Sequence, residues 1–381
     1  MKHVLMGTTA LVAAGLVVGQ AQAADPIKLT LGGFYGTAAG VEIGGADNNG
    51  DPSHNRQVGA FKQNVEIYFN GSTTLDNGLT AGVHVELEGN NSSGKTIDEV
   101  FAYFKGGFGE FRFGDTGGAL GKSCVVDPGA ITNNFGLISP NNSFSNVGRN
   151  APIGLGSMGT CEDEGNGTKM VYFSPTFGGF QGVVSYAVNK KKSAGPTTGT
   201  ASTSGAGSSK TRNIVEGSLN FNRNVGAVSL TGNIAGEYAI SSQSSLHPWE
   251  VQGGLVLGWG RWQFGASAQY DANCVVSGIC GGGSVGQSNS DDAWFVSAGA
   301  AYAIDAWTVG LEGIYGNIQS NAGHDDYKAV SLQGTYKLGP GIRLEGEVAY
   351  YWYNQDKPTG FTGASATSNS ASIGLGTYMT F

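Results

Sequence analysis

Charge is scarce in this chain of 381 residues: Asp, Glu, Lys and Arg together make up 13% of it, about half the share of an ordinary soluble domain. Apolar residues do not fill the gap, because they stop at 40%. A basic excess is also missing. The 21 Lys and Arg face 29 Asp and Glu, for a net charge of −8, whereas a nucleic-acid binder needs a positive footprint to displace counterions. After the first two dozen residues no run reaches 18 uninterrupted apolar residues, which excludes a membrane-spanning helix. No Ser-His-Asp constellation, phosphate loop or HExxH motif is found, so no catalytic residue is nominated, His84 included. Cysteine is limited to four residues without a CxxC pair, and no cofactor or metal is implied.

What takes the place of charge is Gly (65 residues), with Ser, Thr and Asn. Such a chain could be disordered, but 6 Trp, 15 Tyr and 18 Phe spread along its length argue for a packed fold. Residues 1–23 have the layout of an export signal: Lys2 and His3, an apolar run from Val4 to Val18, and Ala21-Gln22-Ala23 before a cleavage point at Ala24. Residues 24–381 are then one exported unit. Export places Cys124, Cys161, Cys274 and Cys280 in an oxidising compartment, where an even count suits disulfides. Three pairings are possible. The simplest joins 124 to 161 and 274 to 280, each within one loop.

The dominant signal is alternation with a period of two. In 61–70, Phe61, Val65, Ile67 and Phe69 share one parity, and Lys62, Asn64, Glu66 and Asn70 the other. Alternate residues of a strand point to opposite faces, so one face is greasy and the other wet. Asp76-Asn77-Gly78 then signals a tight turn, and Leu79, Ala81, Val83, Val85 and Leu87 oppose Thr80, His84, Glu86 and Glu88. The same unit recurs to the end of the chain and predicts sixteen strands, an even number as an antiparallel barrel requires. Short turns near 76, 108, 178, 224, 260, 305 and 340 alternate with longer polar connections at 40–60, 90–96, 115–167, 189–211, 241–248, 272–291, 319–325 and 355–370. That asymmetry predicts an all-β transmembrane barrel with short periplasmic turns and long extracellular loops. Lipid demands it: backbone groups in a bilayer must all be hydrogen-bonded, and without helices only a closed barrel achieves this.

With strands and turns in place, the chain resembles the general outer-membrane porins of Gram-negative bacteria, in particular those of alphaproteobacteria. Four stretches carry the resemblance. Ile27-Lys28-Leu29-Thr30-Leu31-Gly32-Gly33-Phe34 looks like the family's first strand. Phe108-Gly109-Glu110-Phe111-Arg112-Phe113-Gly114 looks like the turn and strand before its pore-constricting loop. Tyr172-Phe173-Ser174-Pro175 resembles the Tyr-x-Ser-Pro motif after that loop. The last strand, with Ile373, Leu375 and Met379 on one parity, ends in Phe381, like the terminal signal for insertion into the outer membrane. Asp115 departs from the pattern, since many members carry Arg there. The resemblance implies a homotrimeric passive diffusion channel for small hydrophilic solutes and ions, in the cell outer membrane.

A sixteen-stranded barrel is too wide for side chains to fill, and the resemblance implies that the long segment 115–167 folds inward to narrow it. This segment carries Asp115, Asp127, Glu162, Asp163 and Glu164. A Cys124–Cys161 bridge would restrain it. The facing wall is expected to be basic, from the lumen-parity residues Lys62, Lys105, Arg112, Arg261, Lys337 and Arg343, so that a transverse field sorts solutes by polarity. Lys62, Lys105 and Arg112 are the foremost candidates for the constriction. Asp47-x-Asn49-x-Asp51 has oxygen ligands at a spacing open to Ca²⁺ but no downstream Glu, so a solvated turn is the simpler reading. Asp291-Asp292 and Asp325-Asp326 read likewise. A rival reading is a substrate-specific channel with a saturable site lined by Tyr103, Tyr351 and Tyr353; flux that saturates at low solute concentration identifies it. A barrel enzyme requires a Ser/His pair, and an adhesin predicts no conductance.

Overall fold

A computed structural model describes residues 26–44, 59–89, 97–125, 165–192, 211–241, 247–273, 292–320, 323–355 and 366–381. The signal 1–23, Asp47–Asp51, Asp127, Cys161, Glu162, Asp163, Glu164, Cys274 and Cys280 therefore lie outside the described residues.

Sixteen strands follow one another: β1 (Lys28–Gly44), β2 (Gly59–Thr74), β3 (Thr80–Glu88), β4 (Ile97–Gly106), β5 (Gly109–Asp115), β6 (Thr168–Phe173), β7 (Phe180–Asn189) and β8 (Thr211–Val225), then β9 (Val228–Ser241), β10 (Trp249–Trp259), β11 (Trp262–Ala272), β12 (Asp292–Ile304), β13 (Trp307–Ser320), β14 (Gly323–Gly339), β15 (Ile342–Gln355) and β16 (Ala366–Thr380). Every strand pairs antiparallel with its neighbours in sequence, and β1 pairs with β16 to close the barrel. No sheet edge is left open, which is the condition for β-structure in lipid.

The alternation sets which way each side chain faces. On β10, Val251, Leu255, Leu257 and Trp259 point outward and are exposed, whereas Glu250 and Gln252 point into the lumen and are buried. The outer face carries aromatic side chains at both rims. On the long-loop side Trp249 lies against Tyr270, Trp294 against Tyr315 and Tyr350 against Trp352. On the short-turn side Trp262 lies against Tyr302 and Trp307 against Tyr336. Trp249 and Trp259 end the same strand. At a rise of about 3.3 Å per residue and a tilt of about 40°, they stand roughly 25 Å apart along the barrel axis, the height of an outer-membrane apolar band.

The strands depart from the sequence reading in three places. The first strand after the longest loop, β6, stops at Phe173, short of the turn expected near 178, because Pro175 has no N–H for the ladder. The Ser174 hydroxyl accepts the Gly182 N–H at 2.9 Å in its place, and Gly178 and Gly179 take positive φ in the turn. The turn expected around Asn224 centres on Gly226, whose φ of 61° suits a residue without Cβ. The polar connection expected over 319–325 is nearly all strand, with Gln319 opposite His324 and Ser320 opposite Gly323. Pairing continues past the apolar band because hydrogen bonding, unlike hydropathy, does not stop at the membrane surface.

The seam is held at the C-terminus. Gly33 donates its N–H to the Phe381 carbonyl at 3.0 Å, and the Phe381 N–H returns to the Gly33 carbonyl at 3.1 Å. A Cβ at Gly33 would overlap the Glu66 carbonyl oxygen and press the Phe381 ring at 3.0 Å. Gly33→Val is therefore expected to destabilise closure by about 1–3 kcal/mol, the usual cost of overpacking. It should lower the temperature at which the folded, fast-migrating gel species disappears. Gly334→Val, where nothing lies within 4 Å, should not.

Candidate functional site

Beyond Asp115 the chain turns into the barrel. Thr116 to Leu120 are buried, a short 3₁₀ turn covers Gly121–Ser123, and the segment continues to Val125. Its route follows lumen-facing side chains one after another. Gly117 donates its N–H to Glu99 Oε1 of β4 at 2.9 Å, Ala119 to Ser185 Oγ of β7 at 3.0 Å, and Leu120 to Glu216 Oε2 of β8 at 2.7 Å. Gln252 of β10 donates to the Leu120 carbonyl at 3.3 Å. Ser218 and Asn220 of β8 both donate to Ser123 Oγ, at 2.6 and 3.1 Å. Lys122 adds an ion pair to Glu99 at 2.6 Å.

From β5 to β10 is five inter-strand steps, about 24 Å of wall, and ten residues reach at most about 36 Å. The segment thus reaches β10 with length to spare, part of which the 3₁₀ turn at Gly121–Ser123 takes up. Two glycines let it lie close: a Cβ at Gly118 would overlap the Glu216 carboxylate, and one at Gly254 the Val125 carbonyl. Hydrogen bonds from N–H groups to a buried carboxylate are among the stronger ones, about 1.5–3 kcal/mol each. Residues 116–125 thus lie against side chains of β4, β7, β8 and β10.

The expected site residues are distributed unevenly. Asp115 ends β5, is buried, and accepts the Thr168 hydroxyl; it ties the strand the loop leaves to the strand it rejoins. Lys105 sits beside the short turn, largely exposed, 3.7 Å from Glu110. Arg112, three residues past that turn, pairs with Glu110 at 2.5 Å and packs over the Phe101 and Phe173 rings. Arg343 pairs with Glu345 at 2.6 Å and lies over Tyr378. Lys337 flanks the same turn as Arg343. Arg261 lies in a turn, exposed and 3.9 Å from Asp305, so it is a rim residue and not a wall residue. Only Lys62 stands away from the short-turn rim, on the far half of β2 beside Ala38. Apart from Lys62, these cations gather at one mouth, where Lys105, Arg112, Arg261 and Arg343 lie beside acids. Of the acidic pairs read as turns, Asp292 begins β12 and accepts the Tyr270 hydroxyl at 2.8 Å, and Asp326 lies within β14 and accepts that of Tyr315 at 2.9 Å.

The wall under the loop is acidic instead. Glu216, Glu237, Glu250 and Asp271 are direct cross-strand neighbours on β8, β9, β10 and β11, each at most 4% exposed. Like charges in register oppose one another, so this row is not there for sheet stability. Lys169, also buried, approaches Glu216 at 4.0 Å. Sequence reading missed Glu99 and the row to which Glu216 belongs. The available signal was a charged residue on the wet parity within a strand, but parity alone does not say that four such residues share one register.

A closed barrel, oily outside and lined with polar groups, with a loop laid along its inner wall, defines a diffusion pore. The chain belongs to the Gram-negative porin family, whose sequence profile matches residues 7–356; it is an outer-membrane channel, and its short turns face the periplasm. No curated protein sequence matches it. Its fold is similar to that of an anion-selective porin from Comamonas acidovorans (16% identity, TM-score 0.58, 93% of this chain and 100% of that one). It is similar also to the outer-membrane channel DcaP of Acinetobacter baumannii (15%, TM-score 0.62, 96% and 100%), and to OmpT of Vibrio cholerae in a trimer form (12%, TM-score 0.56, 94% and 100%).

If the segment 116–125 narrows the pore, lifting it from the wall must widen the pore. Gly254→Ala is expected to raise single-channel conductance while leaving the heat stability of the barrel nearly unchanged, since the new methyl strikes the loop and not a strand. Glu216→Gln should act in the same direction but more weakly, because an amide oxygen still accepts the Leu120 N–H.

Proposed function

We propose that the channel is a passive, weakly cation-preferring homotrimer whose loop 115–167 forms the constriction. The observation that carries the preference is the carboxylate row Glu216–Glu237–Glu250–Asp271 beneath the loop. Carboxylates on the wall of a pore favour a passing cation over an anion. The acidic residues Asp127, Glu162, Asp163 and Glu164 would add to it from the loop side. The expected Cys124–Cys161 bridge is supported by the position of Cys124 where the wall contacts end, and by the absence of a free thiol among the described residues.

Trimer assembly is supported by how the outer face is divided. All six Trp lie on β10 to β15, where interfacial aromatics anchor a wall that meets lipid. Across β2, β1 and β16 the outward parity instead carries Gln63, Thr37 and Thr377 in one register. Polar side chains in the apolar band are better covered by protein than by lipid. OmpT, similar in fold, has been described in a trimer form.

Planar bilayers test the reading. Large ohmic steps are expected, with a reversal potential in a salt gradient on the cation-preferring side. Glu237→Gln with Glu250→Gln should move that potential toward zero. Current that saturates at low solute concentration would favour the substrate-specific channel, and an anion-preferring potential would remove the role given to the row.

A further inference from the structure

On the lumen wall at the root of the inward loop, three side chains from two strands meet. One ligand-capable atom from each of His84, Glu86 and Glu99 lies within 4.8 Å of the others. We propose that these three residues bind a divalent transition cation of the zinc class, a site separate from the solute path's general charge.

The argument begins with the imidazole. Its Nδ1 lies 2.6 Å from Asn70 Oδ1, the kind of outer-shell contact that leaves Nε2 as the ligating nitrogen. Nε2 is directed at Glu86 Oε2, 3.5 Å away. Two ligands bound at about 2.0–2.2 Å to a tetrahedral ion stand about 3.4 Å apart, which is the separation found. The Asn70 contact is the outer-shell bond that orients a ligating histidine, and stacking of the ring on Phe101 at 4.9 Å holds its plane.

The local charge is consistent with a cation. Glu66, Glu86 and Glu99 converge here, with Glu66 hydrogen-bonded to the Tyr68 hydroxyl at 2.5 Å and close enough to Glu86 to interact with it. The one ammonium in the group, Lys122, sits on Glu99 Oε1 at 2.6 Å together with the Gly117 N–H. These two bonds use one of the two Glu99 carboxylate oxygens. Imidazole with carboxylates suits zinc over magnesium or calcium, which prefer all-oxygen sets. Binding at this point would join the loop root to β3 as well as to β4.

The test uses the full-length protein in detergent, titrated calorimetrically with ZnCl₂ and, for coordination, with Co²⁺ by visible absorption. One ion per chain is expected, with Co²⁺ bands of four-coordinate intensity. His84→Gln should abolish that binding, and Asn70→Ala, which removes only the orienting bond, should weaken it about 10–100-fold. Folding of each variant is read from heat-dependent gel mobility, and pore activity from zinc-free conductance, which both substitutions should leave in place. Zinc bound by the His84→Gln protein as tightly as by the unaltered one, or no one-to-one binding by the unaltered chain, overturns the proposal.

Discussion

Lipid cannot hydrogen-bond to a peptide group, and the rest of this structure follows from how the chain meets that condition. Each strand finds both partners only because β1 reaches β16, and the reciprocal Gly33–Phe381 pair completes the ladder at the chain's last residue. Closure has a geometric consequence. Sixteen tilted strands enclose more space than inward side chains can fill, so the fold that satisfies the membrane also produces a hole. What the protein does with the hole is a second problem, and the strands do not solve it.

The loop after β5 addresses that second problem, and it does so with the same chemistry used once more on the inside. A loop in the lumen would expose N–H groups, and the wall supplies acceptors for them in sequence: Glu99, Ser185 and Glu216. These carboxylates serve twice, as anchors for the backbone and as part of the charge that a passing ion meets. Of the cations expected on the facing wall, all but Lys62 are gathered at the short-turn mouth, where Arg112 and Arg343 are paired with acids and packed over rings. The pore thus differs from a simple picture of an acidic loop facing a basic wall: the acid lies under the loop as well.

Much of the fold was legible beforehand, for a reason specific to barrels. Lipid on one side and water on the other impose opposite demands on consecutive residues, so Trp249 and Val251 alternate with Glu250 and Gln252, and Leu255, Leu257 and Trp259 keep the outward parity. Boundaries were less legible where hydrogen bonding and hydropathy part company. The strand before Ser174 ended early at a proline, and the β13–β14 pairing ran on through polar residues that read as loop.

Parity, turns and the terminal aromatic strand were determined by the sequence alone, because they are one-dimensional patterns set by a two-residue repeat. Which wet-face residues become neighbours was decided only by the tertiary structure. Register between strands brings Glu216, Glu237, Glu250 and Asp271 into one row and His84 and Glu86 beside Glu99, and it depends on loop lengths and barrel stagger that no single strand contains. The path of residues 116–125 was decided in the same way, since its hydrogen-bond partners come from four strands on both sides of it in the chain.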